Sequence, residues 1–311
     1  MRVLILAGGI SHERDVSLKS GRRVADALAD AGFDVEIKEP DHELIGHLMA
    51  ERPDVVWSTL HGAVGEDGSL QDLMKLAAIR FVGSEAPAAR LAWNKPVAKS
   101  LVERHGIQTP QCMALPRSTF KELNAESVLA MVGTELGFPL IVKPSRAGSA
   151  QGVTKVTSAQ GFGKAMVDAF AYDEIVMVEK FIPGTEVSVS VLDLGAGPVA
   201  LPAVEIVPES GSFGYNERYV PGETSYFVPA RLDSEVLARL GEQAIKVHNA
   251  LRLRHLSRID FIVNENQSIW FLEANVTPGM TETSLLPQAV QASGESLSAA
   301  YAALVNAAFR A

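Results

Sequence analysis

The chain has 311 residues, 47% of them hydrophobic and 21% charged, with a formal net charge of -9. That length favours two or three domains over one core, and the acidic balance argues against a nucleic-acid partner, which calls for a basic face. No apolar run reaches the roughly 18–20 residues of a bilayer span, and a single cysteine, Cys112, excludes an intrachain disulfide and fits a reducing cytoplasm.

Residues 3–7 read as an apolar strand ending at Gly8-Gly9, followed by an amphipathic helix over 17–31 that Gly32 terminates. The opening apolar stretch is too short for a signal h-region, so no leader is expected. Strands over 35–38 and 55–59 enclose a helix over 43–50, and Phe81-Val82-Gly83 with a helix after Ala86 closes this unit near residue 92. Such alternation calls for a parallel sheet with helices on its faces. No GxGxxG follows the first strand, so the usual dinucleotide fingerprint is missing.

The middle section, 93–183, reads as a helix over 96–105, a strand over 113–115, a long helix over 120–136 and a strand over 139–143. A small, glycine-bearing stretch over 144–152 follows, then a strand over 153–156, a helix over 159–170 and a strand over 175–181. Two strands around such a loop make a flap, and GxxxxGK[ST] is absent, which counts against a P-loop. In the last section, 184–311, strands over 186–192 and 199–207 precede a connection over 208–228 rich in Gly, Ser, Tyr and Pro. Connections of this length inside a compact domain are usually functional lids or disordered. A helix over 233–251, a hairpin of strands 257–263 and 268–274, and two further helices complete the chain.

The hairpin carries the densest chemistry. Side chains alternate along a strand, so Arg258 and Asp260 share one face, as do Glu273 and Asn275. A four-residue connection over 264–267 would set Val263 opposite Ser268 and Arg258 opposite Glu273. Oxygens of Asp260, Glu273 and Asn275 on one rigid face suit Mg²⁺; the same residues also fit a buried Arg–carboxylate pair that merely closes the sheet. Lys143 and Lys180 each end an apolar strand, where a lysine can meet a phosphate or simply snorkel. Backbone N–H groups around Gly148 and Gly152, with the Ser149 hydroxyl, can cradle an anion. Glu179 to Ile182 fit the edge of an adenine pocket or a plain strand end. His61 and Glu13 stand at the carboxyl edge of the first sheet, where ligands approach open sheets, and Arg218 and Tyr219 lie on the lid.

Taken together, a lysine-ended strand, a glycine flap, an EK strand, a polar lid and then RxD and ExN resemble the ATP-grasp arrangement. GGISHERDVSLKSG (8–21), LHGAVGEDGSLQ (60–71), KPSRAGSAQGV (143–153), VEKFIPGTEVSVSVL (178–192), GYNERYVPGETSYFVPA (214–230) and RIDF…LEANVTPGMTETSLLP (258–287) resemble the D-alanine–D-alanine ligase family across essentially the whole chain. The resemblance implies an α/β, three-domain ATP-grasp fold: an N-terminal parallel α/β sheet domain (1–92) and two α+β domains (93–183 and 184–311) that clamp ATP. It implies ATP-dependent ligation of two D-alanine molecules through an acyl phosphate, for peptidoglycan precursors. The enzyme is then expected in the cytoplasm as a homodimer, with two Mg²⁺ ions that Mn²⁺ can replace.

Residue by residue, the resemblance assigns Asp260, Glu273 and Asn275 to the metal, with Glu273 bridging. Lys95, Lys143 and Arg218 go to the phosphates, and Glu179, Lys180, Ile182 and Glu186 to the adenosine. Glu13 goes to the ammonium of the first D-alanine, tied to Ser149 and Tyr219, with His61 contacting the same substrate. Ser284 and Leu285 go to the second substrate, and Arg258 with the backbone of Gly279 to the oxyanion. Three positions depart from the family pattern: Ala147 replaces a common Glu, Ala150 a common Ser, and Arg218 a common Lys, which changes reach and geometry. A ligase of another amino- or hydroxy-acid pair, or a silent nucleotide-binding protein, are the competing expectations. The intact Lys143, Arg258, Asp260, Glu273 and Asn275 weigh against the silent one.

Overall fold

The computed structural model describes residues 1–209 and 222–311. The first sheet alternates strand and helix: β1 (Arg2–Leu6), α1 (Arg14–Asp30), β2 (Asp34–Lys38), α2 (Leu44–Glu51), β3 (Val55–Ser58), α3 (Ala63–Glu66), α4 (Ser69–Leu76) and β4 (Phe81–Val82). Its strands are parallel in the order β2-β1-β3-β4. β1 and β3 read as unbroken apolar runs because both faces of the sheet are covered. Leu4, Leu6 and Val56 meet Leu44, Leu48 and Met74 on one side. On the other, Val3, Ile5 and Trp57 meet Leu286, Tyr301 and Leu304 from the last two helices, α11 (Leu285–Ala292) and α12 (Leu297–Arg310). Sequence periodicity missed α3 and α4, which lie in the motif after β3.

Next come α5 (Ala86–Trp93) and α6 (Lys95–Arg104), then a second sheet of β5 (Cys112–Pro116), β6 (Leu140–Pro144), β7 (Thr154–Val156) and β8 (Ile175–Lys180). Its order among the described residues is β5-β8-β6-β7, all antiparallel. The helix expected over 120–136 is two, α7 (Arg117–Glu122) and α8 (Ala125–Leu136). Asn124 between them sits at φ 66 and accepts the Ser127 N–H, so it breaks one helix and caps the next. α8 and α9 (Ala159–Ala169) bury Val128, Val132, Phe162 and Met166 against this sheet.

The third sheet has the order β12-β11-β9-β13-β14, from β9 (Thr185–Asp193), β11 (Val204–Pro208), β12 (Thr224–Phe227), β13 (Leu256–Val263) and β14 (Ile269–Asn275), with β10 (Pro198–Ala200) paired to the far part of β9. The strand expected over 199–207 is thus two pieces around Pro202, which has no N–H to give a ladder. Part of the expected lid, Thr224–Phe227, is strand paired to β11; the lid residues Arg218 and Tyr219 lie outside the described residues. One face of the sheet buries Val187, Val189, Ile259 and Phe271 against α5, α6 and α10 (Ser234–Ala250). Its opposite face carries Arg258 and Asp260.

Candidate active site

The pairing of β13 with β14 differs from the expected one, and the difference shapes the site. Val263 pairs with Ile269 and Phe261 with Phe271, but Asp260 pairs with Glu273 and Arg258 with Asn275. Leu272 is the extra residue, a β-bulge. Without it Glu273 would share the face of Phe271, which is in the core. With it the phase of β14 reverses: Ala274 and Val276 point to the core, and Glu273 and Asn275 join Asp260. A bulge that re-aims a side chain beside an active site is a recurring device. The expectation that Arg258 faces Glu273 fails because the turn spans 264–268, one residue more than assumed, and the bulge adds a second shift.

Arg258 forms both possible bonds with its neighbour: Nε donates to Asp260 Oδ1 at 3.0 Å and Nη2 to Oδ2 at 2.8 Å. Asp260 Oδ1 also accepts the Ser188 hydroxyl at 2.8 Å, from the adjacent strand β9. Glu273 lies 3.5 Å from Lys95 Nζ. The Asn275 amide oxygen accepts the Thr277 N–H at 2.9 Å. Each carboxylate on this face therefore stands beside a side-chain cation. Among the described residues no three His, Cys, Asp or Glu side chains gather into a metal cluster; the candidate donor set is two carboxylates and an amide.

Arg258, Glu273 and Asn275 line a cleft that parts of all three sheets border. Glu13 and His61 reach it from the carboxyl edge of the first sheet, and Ala147 to Ser149 from the flap between β6 and β7. Lys95, at the start of α6, ties these parts together: its ammonium donates to the Ala147 carbonyl at 2.6 Å and its N–H to the Ser145 carbonyl at 3.1 Å. Glu13 is 5% exposed and accepts the Ser149 hydroxyl. The flap reaches it through a tight turn, with Ser149 at φ 48 and Ala150 at φ 55. Two consecutive non-glycine residues in the left-handed region cost on the order of 1 kcal/mol each, strain that concentrates at ligand clamps. Gly148 lets the flap approach closely, since a Cβ there would stand 3.1 Å from Glu13 Oε2 and press the carboxylate aside by a few tenths of an ångström.

His61 is buried, with Nδ1 3.8 Å from Glu66 Oε1 and Nε2 without a hydrogen-bond partner among the described residues. Glu66 is itself fixed by the Gly62 N–H at 3.0 Å. Ser284 caps the turn before α11, accepting the Thr281 N–H at 3.0 Å, and a Cβ on Gly279 would come within 2.7 Å of its Oγ. The Leu285 side chain packs with Val204 and Ile206 in an apolar cluster and does not line the cleft.

Behind the cleft lies a buried ion cluster. Glu179, 3% exposed, has Oε1 2.5 Å from Lys143 Nζ and Oε2 2.9 Å from Lys99 Nζ. Its carboxylate therefore faces these two lysines from the interior, while Lys180 is exposed at the strand end. Burial is the largest influence on all three groups, with differing results. Burial pushes Glu179 up, but the two ammonium groups outweigh it and hold its pKa below the ordinary carboxylate value. Burial pushes Lys143 down, yet Glu179 and Glu273 raise it above an ordinary lysine. For Lys99 burial prevails, aided by the like charge of Lys143, and its pKa falls.

Comparison with known proteins now decides the family. The family model described as D-ala D-ala ligase C-terminus matches residues 101–306. The D-alanine–D-alanine ligase of Bordetella petrii is 39% identical over 295 residues, covering 95% of this chain and 88% of the relative. That of Nitratidesulfovibrio vulgaris is 39% identical over 308 residues, covering 98% and 97%. The chain belongs to the D-alanine–D-alanine ligase family. Among solved structures, the D-alanine–D-alanine ligase of Bacillus anthracis matches with a TM-score of 0.83 and 27% identity over 100% of this chain and 98% of that one. Its complex with ATP matches at 0.80 and 26%, over 100% and 97%. The VanG D-Ala:D-Ser ligase of Enterococcus faecalis matches at 0.83 and 29%, over 99% of each chain.

Two of the departures from the family pattern sit on the flap. Ala147 contributes its carbonyl to Lys95, a contact its side chain does not affect. Ala150 takes the left-handed conformation beside Ser149. Sequence reading missed Lys99, the second lysine on the cleft side of α6. Its spacing of four from Lys95 puts both on one helix face, beside the buried Ala98 and Val102, and that was the available signal.

Proposed function

We propose that the chain joins two D-alanine molecules with hydrolysis of ATP to ADP, activating the first carboxylate as an acyl phosphate, to supply a peptidoglycan precursor. The observation that carries this reading is the convergence of Glu13, the Ser149 flap, Lys95, Arg258, Glu273 and Asn275 on one cleft. A buried carboxylate already bonded to a hydroxyl suits the ammonium of an amino acid. The Lys95 and Arg258 cations that line the same cleft suit phosphate and a developing oxyanion.

The donor set fits Mg²⁺ or Mn²⁺: Asp260, Glu273 and Asn275 offer hard oxygens, and Arg258 and Lys95 already hold positive charge against the two carboxylates. Held by Asp260, Glu273 and Asn275, the metal would offset phosphate charge. The protein's own part is positional. Lys95 and Lys143 face the phosphates, and the backbone at Glu179 with Lys180, Ile182 and Glu186 borders the adenosine, the Glu179 carboxylate being taken up by Lys99 and Lys143. Glu13 and His61 orient the first D-alanine, with Tyr219 and Arg218 acting from the lid. Ser284 and the chain at Leu285 receive the second, and Arg258 with the N–H of Gly279 stabilises the tetrahedral oxyanion. Closing the flap over Glu13 excludes the water that would hydrolyse an acyl phosphate.

The same reading takes the enzyme to work as a cytoplasmic homodimer, its three sheets forming domains that meet near residues 92 and 183. Among the described residues no helix is long and apolar enough to cross a membrane. A second reading has D-serine as the second substrate, favoured by the equal TM-score of the D-Ala:D-Ser ligase. ADP release is measured with Mg-ATP and D-alanine, then with D-serine, D-lactate or L-alanine added to limiting D-alanine. Turnover with D-alanine alone is expected. Mixed product formed in preference with D-serine would replace the first reading by the second, and no turnover with any pair would end both.

A further inference from the structure

Lys99 is 1% exposed, and all three of its ammonium protons have an acceptor nearby. Besides Glu179 at 2.9 Å, it donates to Thr109 Oγ1 at 3.0 Å and to the Phe271 carbonyl at 3.3 Å. One helical lysine thus joins β8 of the second sheet to β14 of the third, at the residue before the Leu272 bulge. A lysine this deeply buried is rare unless paired, and its removal would leave one carboxylate facing one ammonium.

Charge explains why two lysines share Glu179. Alone with Lys143 at 2.5 Å, Glu179 would make a neutral pair, and little positive field would remain for a phosphate. With Lys99 on the other oxygen, the three groups carry a net charge of about +1, and Lys143 is the member that feels the charge of Glu273, which lines the cleft. Resting on the ligase reading above, we propose that Lys99 is a positioning residue for nucleotide binding: it neutralises Glu179 so that the charge of Lys143 is available to a phosphate. Thr109 and the Phe271 carbonyl fix its ammonium where it can do so without entering the cleft.

The test is binding of Mg-ADP by calorimetry, which needs no turnover, with Lys99→Met and Lys99→Met/Glu179→Gln. Methionine keeps the apolar stem and removes the charge. The single variant is expected to weaken Mg-ADP binding about tenfold or more, with KM for ATP rising more than KM for D-alanine. The double variant should return the affinity to within about threefold of the wild type, because no carboxylate then competes for Lys143. A lysine that only supports packing would give no such rescue. Equal affinity in the single variant, or no recovery in the double, overturns the assignment. Should the single variant not fold, the double one decides alone: near-wild-type affinity supports the proposal, and a tenfold loss overturns it. A wild-type chain that binds no Mg-ADP at all removes the ligase reading and this one with it. Binding in the wild type with an unaffected single variant removes only this one.

Discussion

Glu13 and Glu273 meet different partners with the same functional group. Glu13 is buried with the Ser149 hydroxyl as a donor; Glu273 faces the Lys95 ammonium. Glu13→Gln keeps the shape and removes the charge that would hold an ammonium. A charged hydrogen bond contributes about 1.5–3 kcal/mol, so KM for D-alanine should rise about tenfold or more while nucleotide binding is retained. Steady-state kinetics and calorimetry on the same variant measure the two. Glu273→Gln should instead lower turnover about 100-fold or more with the thermal unfolding midpoint nearly unchanged, and near-normal kcat would show that its charge is not used. Both acids were legible in the sequence, since each falls in a motif beside glycine or an apolar run. Lys99 was not, because a lysine on an amphipathic helix reads as solvated and only the packing of two sheets around it buries it. Leu285 shows the reverse: the motif is present, but the side chain serves the core.

At the scale of elements, the hairpin was visible from its apolar alternation and its facing was not. Alternation predicts which residues share a face only while the strand is regular, and the Leu272 bulge breaks the count between Phe271 and Glu273. Deleting Leu272 should restore a regular strand and drive Glu273 toward the core occupied by Phe261 and Phe271. An unpaired buried carboxylate costs several kcal/mol, so the deletion is expected to lower the urea midpoint sharply and abolish ADP release. A deletion variant of wild-type stability and activity would show that the bulge does not orient Glu273. Two other expectations met breaks that local chemistry explains: Asn124 divides one expected helix and Pro202 one expected strand. Each residue type is a known interrupter, yet neither interrupts every helix or strand in which it occurs.

Across the whole molecule, the three sheets were readable as a parallel unit followed by two others, but their mutual attachments were not, because they join residues far apart in sequence. One such attachment is polar. His255, at the start of β13, accepts the Gly83 N–H on Nδ1 at 3.0 Å, and Arg254 pairs with Glu85 at 2.7 Å. Burial, with the Arg254 charge next, holds the pKa of His255 down to about 4; burial also takes His248, bonded to Ser257, to about 4. The folded state therefore binds fewer protons than the unfolded one between about pH 4 and 6.5. Stability from these groups is present above pH 6.5 and lost as pH falls toward 4, on the order of 3 kcal/mol for each. Urea unfolding at pH 7 and pH 4.5 measures the loss. His255→Asn, which keeps an acceptor and tolerates the φ of 63 found here, should reduce it.

The return of α12 to the first sheet has a consequence for how the chain is made. Trp57 stacks edge-on against Tyr301 at 5.2 Å, and Val3 and Ile5 share that cluster with Leu304. During synthesis the first four strands leave the ribosome more than two hundred residues before the helix that covers this face. At the usual 5–20 residues per second, about ten to forty seconds pass with an apolar sheet open to solvent. The amino-terminal unit is thus held back from completion until α12 arrives, with the part of this face that α1 does not cover left open in that interval.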